Sequence, residues 1–372
     1  MSYEITRYRP ELRSGVIGLQ KHLISPDAAL NDAYFTWKFE QNPYAREPIA
    51  YLALSNGKVA GMRAFHGARW RLGESGRTAS WLCACNFVVD PLHRGQKLFR
   101  QIMDFALADL GAQGFGPTLN WSASPITYGA SLRSGWRLVA PYARWARETS
   151  RARHAERLAR RLRHWPLAWR FADLPVSLAL RPGFDALDAA WSRSGRTATM
   201  TLASEPRPEA MAHLVDSISP PLIQHVRDAD HYRWRLANPL CDYRFVFWNE
   251  SGLEGFLVLQ LARNGESADI SIVDWEASRP DILEAMLSRV VEIGGYDRLS
   301  IWSATLPGRV IASLERLGLA PVDDTRGDPA YRRGPLVIGS GGTDIRETGP
   351  ENAEIFSGLA RWDLRMLYSD FY

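Results

Sequence analysis

Lysine is almost missing from this chain. Four residues (Lys21, Lys38, Lys58 and Lys97) stand among 45 basic ones, the rest being arginine. That bias discounts any argument from a single arginine and draws attention to where the lysines fall. A strong charge of either sign is also missing: 45 basic residues against 41 acidic ones leave +4, which argues against nucleic acid as a partner. Cysteine is sparse and odd in number, with Cys83, Cys85 and Cys241. This excludes a disulfide framework and suits a reducing compartment. Cys83 and Cys85 lack a second pair or a histidine at zinc-ligand spacing, so no metal is expected, and both read as small buried hydrophobes. No run of about 18 uncharged apolar residues exists, so no membrane span is expected. Residues 1–11 carry no apolar signal core, and the expected location is cytoplasmic.

What remains is globular: 372 residues, 46% hydrophobic and 11% aromatic, enough for two ordinary cores. The chain also repeats itself. Trp37-Lys38-Phe39, Asn42-Pro43 and Trp121-Ser122-Ala123-Ser124 are answered by Trp234-Arg235-Leu236, Asn238-Pro239 and Trp302-Ser303-Ala304-Thr305. A period this long marks a duplicated domain rather than a solenoid. The repeated Trp and Asn-Pro read as a core plug and a turn.

Periodicity gives each copy the same order of elements. In the first, strands are expected near 3–9, 49–54, 59–72, 80–89 and 118–122, and helices near 12–23, 98–110 and 128–133. In the second, strands fall near 197–202, 243–248, 253–261, 268–273 and 299–303, with helices near 208–217, 280–293 and 309–317. The expected class is α/β, two tandem domains that are each a mixed, mostly antiparallel sheet flanked by helices. The boundaries are read as 1–148 and 193–337, joined by an Arg-rich helical linker over 149–192 and followed by a docking tail over 338–372.

The chemistry is expected at Phe87-Val88-Val89-Asp90-Pro91-Leu92-His93-Arg94-Gly95-Gln96-Lys97-Leu98-Phe99, a buried strand, a short polar loop and a helix start. The free amides of a first helical turn favour a diphosphate, and glycine lets backbone approach it. This junction resembles the GNAT acyltransferase superfamily, whose strand ends V-x-P before R-G-x-G-x-G and a helix. Val89, Pro91, Arg94 and Gly95 match, while Lys97 and Phe99 stand at the later glycine positions. A second landmark of the family overlays Ser124 to Trp136, with Arg133, Gly135 and Trp136 matching.

The resemblance implies an acyl-CoA-dependent N-acyltransferase with acetyl-CoA as donor, no metal, and a small-molecule amine, such as an amino sugar, as acceptor. Val88 and Val89 would hold pantetheine and the acyl oxygen; Arg94, Gly95, Gln96, Lys97, Leu98 and Phe99 would hold the diphosphate, with Ser124 at the family's asparagine position. The family's acidic tyrosine falls by count on Ser131, with Tyr128 one turn earlier on the same face. Candidates for deprotonating the amine are His66, Asn86 through a held water, and Glu40. A lone histidine on an apolar strand also reads as a packed residue. Asp274 to Pro280 replaces the loop in the second copy without a glycine, so chemistry is expected in the first. Two other readings stay open. One is a Fem-like transferase using aminoacyl-tRNA; the other is a catalytically silent binding protein.

Overall fold

The computed structural model describes residues 2–121, 125–139, 144–149, 184–195, 199–218, 222–262, 268–322, 336–345 and 361–369. The basic segment from 151 to 170 and Ser124 lie outside these residues.

The first sheet holds β1 (Glu4–Arg7), β2 (Ile49–Ser55), β3 (Lys58–Leu72), β4 (Thr78–Val89), β5 (Thr118–Asn120), β6 (Arg137–Leu138) and, from later in the chain, β9 (Ile223–His225) and β15 (Leu336–Ile338). Its order is β1-β2-β3-β4-β5-β15-β6, with β9 pairing β3. The second holds β7 (Arg144–Glu148), β8 (Met200–Ala203), β10 (Cys241–Asn249), β11 (Leu253–Ala262), β12 (Asp269–Ala277), β13 (Arg298–Trp302) and β14 (Ala320–Pro321), in the order β14-β7-β13-β12-β11-β10-β8. The expected mixed, mostly antiparallel pair of sheets is what the residues build; β4–β5 and β12–β13 are the parallel neighbours.

Local signals explain most elements. Asn56 and Gly57 take φ of 49° and 75°, the twist that a two-residue hairpin needs. Helix α1 spans Arg13–Leu19, α2 Ala28–Phe35, α3 Leu98–Ala112 and α4 Pro125–Arg133. On α3 the residues Leu98, Ile102, Met103, Ala106, Leu107 and Leu110 form the buried stripe. It packs with Phe65, Leu82 and Ala84 on one face of the sheet, while α1 and α2 cover Met62, Ala64, Cys85 and Val88 on the other. In the second copy α5 covers Asp185–Arg193, α6 Pro208–Ile218, α7 Ala229–Arg235, α8 Pro280–Ile293 and α9 Gly308–Arg316.

Sheet membership does not follow boundaries at 148 and 337. Strand β7 leaves the first copy and pairs antiparallel with β13, from Arg144↔Trp302 to Glu148↔Arg298. Strand β15 returns and lies between β5 and β6, through Leu336↔Asn120 and Leu336↔Leu138. Each therefore fills the place beside the other copy's inner parallel strand, a reciprocal exchange.

The repeated tryptophans meet each other. Trp37 Nε1 donates to the Trp234 carbonyl at 2.6 Å and Trp234 Nε1 to the Trp37 carbonyl at 2.7 Å, with rings stacked at 5.6 Å. The repeated Asn-Pro is a turn in both copies: Asn42 Oδ1 accepts from the Tyr44 amide and Asn238 Oδ1 from the Leu240 amide. The tail places Trp362, Leu364, Met366, Leu367 and Tyr368 in a core shared by both sheets, beside Trp70, Trp121, Phe245 and Phe256.

Candidate functional site

After β4 the chain turns through a short 3-10 helix, Pro91–His93, set by Asp90, whose amide donates to the Ala60 carbonyl and whose carboxylate accepts from the Leu92 amide, both at 2.9 Å. Gly95 then takes φ 78° and Lys97 φ 57° as the residue that opens α3. Lys97 thus adopts a left-handed conformation that glycine takes without strain. Its side chain is exposed, so its bulk lies outside the loop's interior. Gln101 Nε2 donates to the Gln96 carbonyl at 2.9 Å and pins the loop to the helix. Among the described residues the amides of residues 95–99 donate no backbone hydrogen bond, which leaves a row of N–H groups at the positive end of α3 with Arg94 exposed beside it. Leu98 is buried below them, and Phe99 meets Phe87 edge to face at 4.9 Å. These donors fit a diphosphate.

Strand β4 keeps β5 as neighbour only at Leu82↔Thr118 and Cys83↔Leu119, whereas β3 follows it to Gly61↔Val89. Among the described residues, one side of β4 is unpaired by strand from Ala84 onward, including Val88 and Val89. The register jumps between Met62↔Val88 and Ala64↔Cys85, a bulge that holds Asn86 at φ 45°. The bulge turns Asn86 toward the α1–α2 face, where its Oδ1 accepts from Tyr34 Oη and Lys38 Nζ, each at 3.1 Å. Lys38 Nζ also donates to Tyr34 Oη at 2.8 Å. Asn86 Nδ2 is buried with no partner.

Tyr128 and Ser131 sit on α4. Tyr128 is half-buried against the cluster of Leu98, Ile102 and Trp136, and Ser131 is buried, its carbonyl accepting from the Ser134 and Trp136 amides. Of the two, Tyr128 keeps access. Glu40 is exposed and pairs with Arg13 at 2.8 Å, on the outside of the helical pair.

His66 lies on β3 opposite Cys83, on the same face as the Asn86 group, and is buried with Nδ1 unpartnered. Burial, then the charges of Lys38 and Arg235, hold it well below the usual imidazole range, so it is neutral at pH 7. It lines a hollow between the copies with Trp37, Lys38, His225, His231, Trp234 and Arg235. His66 and Asn86 were candidates from sequence; Tyr34, Lys38, His225 and His231, which the structure places near them, were not. The one available signal was that a cation follows the repeated Trp in both copies.

The second copy has the same opening and fills it. Strands β12 and β13 pair from Asp269↔Arg298 to Ile272↔Ile301 and then part. Beyond that point the buried Arg227 guanidinium meets Asp274 at 2.9 Å, Glu276 at 2.7 Å and Asp363 at 3.3 Å. Arg365 pairs with Asp363 at 2.8 Å, lies 4.1 Å from the Trp275 ring centroid, and donates to the Trp275 carbonyl at 2.9 Å. The tail and Arg227 thus occupy the space beside β12.

Two sheets with a parallel pair that parts, a bulge, and a helix opening at the gap define the GNAT fold. Among solved structures the chain is similar to a probable N-acyltransferase of Enterococcus faecalis V583, at TM-score 0.57 and 10% identity over 92% of this chain and 73% of that one. It is also similar to a GCN5-related N-acetyltransferase of Anabaena variabilis, at 0.54 and 11% over 91% and 72%. The particular form is the tandem one: a tandem GNAT protein from the clavulanic acid biosynthesis pathway matches at 0.50 and 14% over 91% of this chain and 99% of that one. No family sequence model and no curated protein matches the chain.

Proposed function

We propose that the chain is an acyl-CoA-dependent N-acyltransferase whose chemistry lies in the first copy. The observation that carries this reading is the contrast between copies. The β4–β5 opening has free amides at its mouth, and the β12–β13 opening is filled by a buried ion cluster and the tail. Arg94, the amides of Gly95, Gln96, Lys97, Leu98 and Phe99, and the Lys97 ammonium would hold the diphosphate, and the open side of Val88 and Val89 would receive the pantetheine arm. When bound, acyl-CoA supplies an activated thioester; acetyl-CoA is the proposed donor.

The acceptor amine must be neutral to attack. His66, neutral and facing the Asn86 group, takes a proton from it, and Asn86, fixed by Tyr34 and Lys38, orients it through Nδ2. As the nitrogen–carbonyl bond forms and the carbon–sulfur bond breaks, Tyr128, on the α3–α4 side, gives its phenolic proton to the leaving sulfur and is restored by the second proton that the acylated nitrogen releases. A small-molecule amine, such as an amino sugar, is the proposed acceptor class.

The cradle is tested by Gly95→Trp. Gly95 has no neighbour within 4 Å of a built Cβ, so the indole meets the ligand's space rather than the core. Calorimetry with acetyl-CoA is expected to lose at least ten-fold in affinity; because Gly95 takes φ 78°, any side chain there costs about 1–2 kcal/mol of strain, and Gly95→Ala, which carries that strain without the indole, is the control expected to keep most of the affinity. Unchanged affinity would remove the cradle from the reading.

A further inference from the structure

Both copies build a cleft of about 390 Å³ that shares no lining residue with the 94–99 loop or the open side of β4. One wall is the end of β3, with Arg69 and Arg71; the other is α6 and β9, with His213, Asp216 and Gln224. Beneath, β9 continues the first sheet on β3 through Trp70↔His225 and Arg71↔Gln224. The volume lies in the usual range for a small-ligand site.

Donors outnumber acceptors on these walls. Arg69 and Arg71 are alternate residues of one strand, so their side chains leave the same face about 7 Å apart. Each guanidinium carries several N–H donors and no acceptor. Arg69 spends one Nη on Asp228, and its Nε is buried with no partner. Asp228 is already engaged elsewhere, because its Oδ1 accepts from Tyr44 Oη at 3.0 Å and from the His231 amide at 2.8 Å. Arg227, behind the cleft, is committed to Asp274, Glu276 and Asp363. Arg71 Nη2 holds Asp216 at 2.7 Å, and that carboxylate is 71% exposed. An exposed pair of this kind contributes little. Asp216 is therefore a weakly held oxyanion that shows which chemistry Arg71 accepts. A ligand carrying several anionic oxygens on one atom satisfies both arginines where Asp216 satisfies one. Among the described residues no tryptophan, tyrosine or phenylalanine lines the cleft, so it offers no platform for a nucleobase. Thr78, His213 and Gln224 suit hydroxyl groups instead.

We propose that this cleft binds a small phosphate monoester on a hydroxylated body, of sugar-phosphate size, with the phosphate gripped by Arg69 and Arg71 and the Asp216 carboxylate displaced into water. The phosphate lies on β3 and the body on α6 and β9, so the ligand bridges the two copies. The site is separate from acyl transfer and does not rest on that reading.

The test titrates the full chain with glucose 6-phosphate in a calorimeter, with glucose as the uncharged control. Glucose 6-phosphate is expected to bind and glucose is not. Arg71→Met should weaken binding about ten-fold or more, the contribution of a charge-assisted pair. Asp216→Asn should tighten it, because the competing charge is gone while the side chain keeps its shape. A merely structural role for the Arg71–Asp216 pair predicts the opposite sign. Gly95→Trp should leave the affinity unchanged, which separates the cleft from phosphate binding at the 94–99 loop. Melting temperatures check that each variant folds; if Arg71→Met does not, Asp216→Asn still reads the sign. Absence of glucose 6-phosphate binding overturns the proposal, as does equal binding of glucose. Unchanged affinity in a folded Arg71→Met, weaker binding in Asp216→Asn, or loss of binding in Gly95→Trp overturns it too.

Discussion

Between pH 7 and pH 5 the chain is expected to lose more than 2 kcal/mol of folding stability. His225 is held at about 4 in the fold, chiefly by burial, against an ordinary value of 6.5. The unfolded chain therefore binds a proton below 6.5 that the folded chain refuses until about 4, and stability falls as pH falls through that window. At about 1.4 kcal/mol per pH unit, His225 alone accounts for about 2 kcal/mol by pH 5. His66 and His231, both pushed well below 6.5 by burial, act in the same direction. Against a net stability of about 5–15 kcal/mol this is a large share. Urea midpoints at pH 7, 6 and 5 check it, and His225→Gln should flatten the slope. A midpoint independent of pH between 7 and 5 would mean the imidazoles are hydrated in the fold.

Arg227→Met is expected to cost about 3–5 kcal/mol, the usual penalty for stripping one partner from a buried charge group. The guanidinium is fully buried and serves Asp274, Glu276 and Asp363 together. Removing it leaves Arg365 as the cation for that cluster. Asp274, already raised by burial, would then protonate more readily still. Adding Asp274→Leu should recover part of the loss, because a buried ion pair replaced whole by apolar groups is often neutral. Thermal unfolding of the two variants decides it; a single substitution within 1 kcal/mol of wild type would show the cluster to be hydrated.

The fold was legible where periodicity is strong. The α3 stripe and the Pro280–Ile293 helix need only their own residues to be read. Strands β6, β9, β14 and β15 were not legible, since two or three residues carry no period and are strands only because a partner edge waits for them. Strand β7 was hidden differently: Arg144-Trp145-Ala146-Arg147-Glu148 alternates weakly, and nothing local says which sheet it joins. At the candidate site, the meeting of Arg94, Gly95 and Lys97 on one loop that opens α3 was legible because the loop is contiguous in sequence. Tyr34, Lys38, His225 and His231 were not, because only the meeting of Trp37 with Trp234 brings them together.

The exchange of β7 and β15 bears on how the protein is made. A ribosome delivers Thr118–Asn120 long before Leu336–Ile338, so the seat beside β5 stays vacant until the second copy has been made. The half built on β4 and β5 therefore cannot mature during synthesis on its own. Its assembly waits on contacts more than 200 residues apart, which predicts slow, late and all-at-once maturation of both halves.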